Sequence, residues 1–111
     1  MNYQQLAEDF AASTQISVED VADIAEAGFK SIICNRPDGE DLGQPSAETI
    51  EAACKEHGLR FYHVPVTSQA DLPVAVPHQA EIMRNSKGPF FAYCRSGNRS
   101  TILWSIIARM P

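Results

Sequence analysis

The sequence predicts an α/β protein built on a small, mostly parallel sheet with helices on both faces. Helix and strand patterns alternate along the chain and are joined by short connections. The strand patterns are dense in Phe, Ile, Val and Tyr, which is typical of strands buried on both faces. The length of 111 residues suits one core of modest size, so we expect a single domain over residues 1–111.

The first half of the chain carries one helix signal between two strand signals. After a short amphipathic lead-in, Phe10–Gln15 fits an edge strand. Ser17 has the character of a helix N-cap, with Asp20 three residues later as an approximate capping box, and Gly28 ends that helix. Phe29–Cys34 then reads as a buried strand.

The second half repeats the alternation. Ser46 is a second N-cap, its helix ends at Gly58, and Arg60–Val66 is the next strand. A loop over 67–76 precedes a helix that we expect to start near Pro77, because proline is easiest to accommodate in a first turn. Gly88 and Pro89 break that helix, and a strand, a tight loop and a last helix follow.

The stretch Phe90–Ser100 is the chemical centre of the chain. Cys94 ends the strand pattern, and Arg99 and Ser100 open the helix. A loop of this shape turns backbone N–H groups inward, and the helix behind it adds a positive dipole end, so it binds an anion and stabilises a cysteine thiolate at its rim. We predict that Ser100 donates a hydrogen bond to this thiolate. The predicted anion-binding residues are Arg95, Ser96, Gly97, Asn98 and Arg99.

The same residues also have interpretations that involve no function. A single cysteine at the end of an apolar strand is usually an inert core residue, and Arg95 could simply point to solvent. The polar turn after Phe29–Cys34 contains Arg36 and Asp38, which would lie near the Cys94 loop because ligands bind at the carboxyl ends of parallel strands. The same turn could equally be a solvent loop held by its own hydrogen bonds.

The Cys94–Ser100 loop resembles the active-site loop of rhodanese-type sulfurtransferases, with four residues between Cys94 and Arg99. It also resembles the loop of cysteine-dependent protein-tyrosine and dual-specificity phosphatases, which place five there. Nearly the whole chain is similar to the phosphatase-like domain of beta-lactamase hydrolase-like proteins. Besides the loop and Leu103-Trp104, the stretches that carry this resemblance are Ser13–Gln15, Ala27–Lys30, Asn35–Glu40, Gln44–Ser46 and His63–Val66.

The resemblance implies a fold like that of these phosphatases and an enzyme with Cys94, Arg99 and Ser100 in its catalytic site. Phosphatases of this fold carry an aspartate general acid on a loop, for which Asp71 is the candidate, although a turn or helix-capping aspartate explains the same residue. Tyr93 departs from the phosphatases, which usually have histidine before the nucleophile. The resemblance implies neither a cofactor nor a metal ion.

Three functions compete. The first expectation is a sulfurtransferase that moves a sulfane sulfur through a Cys94 persulfide from a small donor to a thiol acceptor. The four-residue loop favours it, because a phosphoryl group with three oxygens needs a wider ring. The alternative is a phosphatase that forms a Cys94 phosphocysteine on a phosphorylated substrate. The third possibility is a module that binds an anion without turnover.

The composition of the chain limits the kinds of partner that it could bind. The formal net charge of -5 argues against nucleic acid or an anionic membrane surface as a partner. No signal peptide or transmembrane stretch is visible in the sequence, and three widely spaced cysteines do not form a disulfide pattern. We therefore expect a reducing, cytoplasmic location, while the oligomeric state stays open.

Overall fold

The computed structural model describes all residues, 1–111, as a five-stranded sheet and four helices. A short 3-10 turn, Gln69–Asp71, precedes the third helix. The strands are β1 (Tyr3–Ala7), β2 (Phe10–Ser13), β3 (Ser31–Cys34), β4 (Arg60–His63) and β5 (Phe90–Tyr93). The helices are α1 (Val18–Glu26), α2 (Ala47–Glu56), α3 (Leu72–Asn85) and α4 (Asn98–Ala108).

The sheet has the strand order β1-β2-β5-β3-β4, with β1 antiparallel and every other pairing parallel. The predicted mostly parallel α/β fold is confirmed. The predicted edge position of Phe10–Gln15 is wrong, because β2 lies between β1 and β5 and is buried along its length. The edge strand on this side of the sheet is Tyr3–Ala7, which is rich in exposed polar residues and gives no apolar alternation in the sequence.

Helices cover both faces, and each face has its own apolar core. One core joins α1 and α2 to the sheet and includes Ile24, Ile50 and Phe91. The other includes Ile33 and Leu103 and lies beneath α3 and α4. Successive side chains of β5 alternate between these cores, as the pleat of a strand requires, so that Phe91 and Tyr93 face α1 and α2.

Local signals set most helix ends. Ser17 and Asp20 form the predicted capping box of α1, and the Ser46 hydroxyl accepts from Thr49 N at the start of α2. The prediction that a helix starts near Pro77 is wrong, since α3 begins at Leu72 and contains Pro77. Pro73 occupies the first turn, where no N–H bond is lost, and the one bond lost at Pro77 is outweighed by the packing of the buried face of α3. No helix has the length and apolar character to cross a membrane.

The four parallel strands end at the same edge of the sheet, and four loops meet there. They connect β2 to α1, β3 to α2, β4 to α3, and β5 to α4. This is the edge where open α/β sheets bind ligands. The topology therefore brings the Cys94 loop beside the loop that begins at Asn35 and the loop that begins at Val64.

Candidate active site

Cys94 lies directly after β5, at the floor of a tight loop. The residue is 0% exposed, and its Sγ accepts a hydrogen bond from Gly97 N at 3.1 Å. Gly97 has a φ of +91°, while a Cβ added there would meet the Ser13 backbone at 3.5 Å and Thr14 N at 3.8 Å, both ordinary contact distances. Glycine is therefore required by the left-handed backbone that closes the loop, and not by lack of space.

The loop presents N–H donors that have no acceptor in the protein. Gly97 N donates to Cys94 and Asn98 N donates to Ser96 Oγ, at 3.1 and 3.3 Å. The remaining N–H groups of the loop and of the first turn of α4 are unpaired; they belong to Arg95, Ser96, Arg99 and Ser100. Unpaired donors of this kind around a helix start are what an anion needs, because they supply hydrogen bonds and a positive dipole end together.

Arg99 projects from the first turn of α4 and is held by two groups. Its Nη1 donates to Glu40 Oε2 and to Val66 O, both at 2.8 Å, and its Nη2 donates to Glu40 Oε1 at 2.8 Å. These bonds use both Nη1 hydrogens and one Nη2 hydrogen. Nε and the second Nη2 hydrogen form the remaining edge, which makes no hydrogen bond in the protein and is a two-pronged donor for an oxyanion.

Glu40 and Arg99 shift each other's titration. The hydrogen bonds from Arg99, assisted by Arg36 and opposed by partial burial, lower the pKa of Glu40 to about 2. Glu40 in turn raises the pKa of Arg99 above its usual value, and the nearby Cys94 adds to that increase. Glu40 is therefore a carboxylate at neutral pH that fixes the arginine beside the cysteine.

Arg36 anchors this pair from behind. Its side chain is 3% exposed, and it donates to Glu40 Oε1 at 2.9 Å, Gln15 Oε1 at 2.9 Å and Asp41 Oδ2 at 2.8 Å. Arg36 thus lies close to the Cys94 loop, as the sequence predicts, but all three of its nitrogens are occupied. Asp38 accepts from Ala47 N at 2.8 Å, so it caps α2 and is not directed at the loop.

The other loop side chains lie at the rim. Arg95 is 65% exposed, with Nε 3.4 Å from Asp41 Oδ2. The Ser96 hydroxyl is engaged with Asn98 N, and the side chain of Asn98 makes no hydrogen bond in the protein. These residues remain predicted anion ligands, chiefly through their backbone.

Ser100 is placed differently from the prediction. Its hydroxyl is 0% exposed and donates to Asn35 Oδ1 at 2.8 Å, so its one hydrogen is not given to Cys94. Asn35 Nδ2 continues this buried chain to Val64 O at 3.0 Å and to Gln79 Oε1 at 2.8 Å. The chain ties the first turn of α4 to β3, β4 and α3, which makes Ser100 a support of the loop.

Asp71 is half-buried, and its side chain is hydrogen-bonded to its own loop. Its Oδ2 accepts from Thr67 N at 2.6 Å and from Ser68 N at 3.3 Å. These two backbone donors hold the pKa of Asp71 below its usual value. This is the turn-aspartate interpretation that the sequence left open, and a general-acid role for Asp71 stays a prediction that these contacts do not favour.

The three cysteines differ in their surroundings. Burial raises the pKa of Cys34 and raises that of Cys54 to about 12, so both are neutral thiols of the core at physiological pH. Tyr93 faces the same core beside Cys34, and its buried hydroxyl has no hydrogen-bond partner. Tyr93 therefore packs in the core and does not point toward the loop.

Glu40 and Asn35 are the two site residues that sequence reasoning missed. Both belong to the polar turn Asn35–Glu40, in which the sequence pattern predicts only Arg36 and Asp38 near the site. An acid four residues after an arginine in a turn at the ligand edge was the available signal for Glu40. Asn35 gave no signal, because its partners Ser100 and Gln79 are distant in sequence.

A cysteine among free N–H donors beside an arginine fits both enzyme classes that the loop resembles, and the family match assigns the chain to the phosphatase-like class. Residues 2–110 match the family model of the "Beta-lactamase hydrolase-like protein, phosphatase-like domain". The chain belongs to this family, and the resemblance inferred from the sequence is confirmed.

Individual relatives agree with this assignment. A candidate phosphatase from Neisseria meningitidis is 34% identical, with a TM-score of 0.85 over 96% of this chain and 78% of that one. A beta-lactamase hydrolase-like protein of Agrobacterium fabrum is 30% identical over 94% of this chain and 24% of its own length. The core catalytic domain of the PP-IP phosphatase SIW14 from S. cerevisiae, 20% identical with a TM-score of 0.75, covers 98% of this chain and 65% of its own and shares the fold.

The comparisons support some of the functions predicted from the sequence better than others. The prediction of an enzyme is confirmed at the level of the class, which is that of the phosphatase-type hydrolases. The phosphatase alternative is supported better than the sulfurtransferase that the sequence put first, because the family and its structural relatives are phosphatase-like. The chain spans about a quarter of the length of the curated relatives that it matches.

Proposed function

We propose that this chain is a cysteine-dependent phosphatase acting on phosphorylated substrates. The Cys94 thiolate attacks phosphorus, the bond to the ester oxygen breaks, and the departing oxygen takes a proton from water. Water then attacks the phosphocysteine, releasing inorganic phosphate and restoring the thiolate. The observation that carries the proposal is the set of unpaired loop N–H groups beside Cys94, together with the free edge of Arg99.

Charge stabilisation is the main contribution of the loop. The equatorial oxygens of a transferring phosphoryl group gain charge that preorganised N–H donors and an arginine can bind without rearranging. Glu40 keeps Arg99 in place by occupying its far edge, and the buried Arg36 keeps Glu40 in place. Glu40 is a positioning residue in this scheme, since it acts through Arg99.

Proton donation is the weak part of the site. Glu40 and Asp71 are both held as carboxylates by their donors, so neither carries a proton for the leaving oxygen at neutral pH. Turnover should therefore be fastest with esters whose alcohols are acidic. The rate should fall steeply as the pKa of the alcohol rises.

Sulfur transfer is the second candidate, and the lack of a proton donor in the site favours it. Sulfite and thiolates leave without acid help, and the loop has four residues between Cys94 and Arg99. Cys94 would attack the sulfane sulfur of thiosulfate, expel sulfite and carry a persulfide to a thiol acceptor. Loss of that sulfur to the acceptor would restore the Cys94 thiolate.

A parallel assay tests the proposal and its competitor. Purified protein is given an aryl phosphate in one series and thiosulfate with a thiol acceptor in the other, as wild type, Cys94→Ser and the control Cys54→Ser. We expect aryl phosphate turnover that falls to background in Cys94→Ser and persists in Cys54→Ser. Sulfite release that depends on Cys94, without phosphate release, would overturn the phosphatase and establish the competitor.

The extent of the unit is also a proposal. Both apolar cores share one five-stranded sheet, and the strands and helices that build them extend from Tyr3 to Ala108. We therefore take residues 1–111 as a single domain. A single cooperative unfolding transition with coincident far-UV and near-UV signals is the expected result.

A further inference from the structure

A narrow groove runs beside Arg99, between α4 and the segment that links β4 to α3. Its volume is about 120 Å³, and Arg99 itself lines it. Val66, Leu72 and Ile102 give it apolar walls, and none of its lining residues other than Arg99 carries a charge. An apolar cavity of about 150 Å³ is enough to bind benzene, so this open groove can seat part of a comparable group.

Ile102 is an exposed aliphatic side chain next to an anion site. It is 39% exposed and lies three residues after Arg99, so the two share one face of α4. Its exposure leaves apolar surface available to whatever the guanidinium binds. Covering that surface would favour an anion whose remaining part is apolar.

The charge around the loop suits one anionic group. Three arginines lie there, and each is in an ion pair with Glu40 or Asp41. The two carboxylates leave this cluster with one net positive charge. A substrate with several phosphates would find no further cations, and the net charge of the chain is -5.

The other cations lie at the far edge of the sheet. Lys30 and Arg60 are at the amino-terminal ends of β3 and β4, and Lys87 precedes β5. The last three are near the carboxyl-terminal ends of helices that run away from the site: Lys55, Arg84 and Arg109. None of the six can reach a ligand on the Cys94 loop.

We propose that the substrate is a singly phosphorylated small molecule whose uncharged, partly apolar remainder lies in this groove against Ile102 and Leu72. The inference rests on the proposed phosphatase function and adds its substrate class. A larger cavity of about 470 Å³ also borders the loop, through Ser96, Gly97 and Asn98, but it is a poorer seat for an apolar remainder because Arg99 does not line it and most of its lining residues are polar.

Phosphonates test this by binding alone, since they cannot be hydrolysed. Calorimetric titration of wild-type protein compares phenylphosphonate, methylphosphonate and methylenediphosphonate, the last carrying extra charge. Burial of part of the ring predicts about tenfold tighter binding of phenylphosphonate than of methylphosphonate, with no gain for methylenediphosphonate. Ile102→Asn should reduce that preference to about twofold to threefold.

The matched control is Val74→Asn, since Val74 is a more exposed aliphatic residue on α3 that lines a different groove. The tenfold preference should survive in this variant. Tightest binding of methylenediphosphonate, an unchanged preference in Ile102→Asn, or no binding of any phosphonate would overturn the inference. Loss of the proposed function would show instead as absent Cys94-dependent turnover, which this titration does not measure.

Discussion

Two acidic residues flank the candidate site, and the structure uses them differently. Glu40, on the loop after β3, binds Arg99 and Arg36 through its carboxylate. Asp71, on the loop after β4, binds only backbone N–H groups of that loop. Both side chains have a lowered pKa, but hydrogen bonds from arginine side chains, chiefly Arg99, cause the shift of Glu40 and hydrogen bonds from two peptide N–H groups cause that of Asp71.

The difference separates two roles that a carboxylate can have near a phosphate. Glu40 supports the electrostatics of the site, because its loss frees the arginine that faces the transferring group. Asp71 supports the turn before α3, because its loss frees two exposed N–H groups that water can satisfy.

The largest effect is expected at the arginine that Glu40 holds. Arg99→Lys replaces a planar fork by one ammonium, which cannot bind Glu40 and an oxyanion by two edges at once. We expect kcat/KM for an aryl phosphate to fall about 10²–10³-fold, the loss typical of a removed oxyanion donor. Arg84→Lys, at the far end of α3, is the matched control and should retain wild-type activity.

Glu40→Gln removes the charge and keeps the shape. Loss of the orientation of Arg99 should lower kcat about tenfold to a hundredfold. KM should change little, because removal of one negative charge beside the site offsets weaker orientation in the bound ground state. Steady-state kinetics would show this split between kcat and KM.

The control for that variant is Asp41→Asn, which removes an acid that contacts Arg36 and Arg95 but not Arg99. Its kcat should stay within about threefold of wild type, since only orientation of the reacting arginine costs much. A kcat for Glu40→Gln as high as that of Asp41→Asn would remove Glu40 from the mechanism.

A smaller effect is expected at Asp71. Asp71→Asn keeps an acceptor for Thr67 N and Ser68 N, so kcat should stay within about threefold of wild type. Loss of a general acid would instead lower kcat about 10²–10⁴-fold. The pH profile of kcat should also be unchanged. A large loss of kcat together with loss of the alkaline limb of that profile would establish Asp71 as the acid.

The smallest effect concerns stability at low pH. The pKa of Glu40 is lowered to about 2 in the folded protein, so its carboxylate contributes stability that is present above its usual value of 4.5 and lost as the pH falls toward 2. The Tm difference between wild type and Glu40→Gln should therefore be constant from pH 7 to about 5 and shrink below it. A difference that is independent of pH would mean that the ion pair adds no stability.

The fold was largely predictable because its signals are local. Capping by Ser17 and Ser46 and the apolar runs of β3 and β5 depend on neighbouring residues, and the structure has each of them. The edge strand β1 was not predictable from pattern, because its exposed polar side chains share no periodicity with a buried face. The start of α3 was misplaced because Pro77 is tolerated where tertiary packing holds the helix.

The candidate site was likewise predictable where its signals are local and not where they depend on distant residues. Cys94, Gly97 and Arg99 lie within six residues, so the loop could be predicted from chain order alone. The partners of the loop could not, because Glu40 meets Arg99 across 59 positions and Ser100 meets Asn35 across 65. The partner of the Ser100 hydroxyl, Asn35 rather than the Cys94 sulfur, is therefore set by a contact that is distant in sequence.

The most direct test of the account is to trap the covalent enzyme. Wild-type protein mixed with an aryl phosphate is quenched in acid within the first turnover and analysed by intact and peptide mass spectrometry. The account predicts one added phosphoryl group on the peptide that contains Cys94, and none in Cys94→Ser. Aryl phosphate turnover without this adduct, or one added sulfur on Cys94 after thiosulfate with no adduct from the ester, would contradict it.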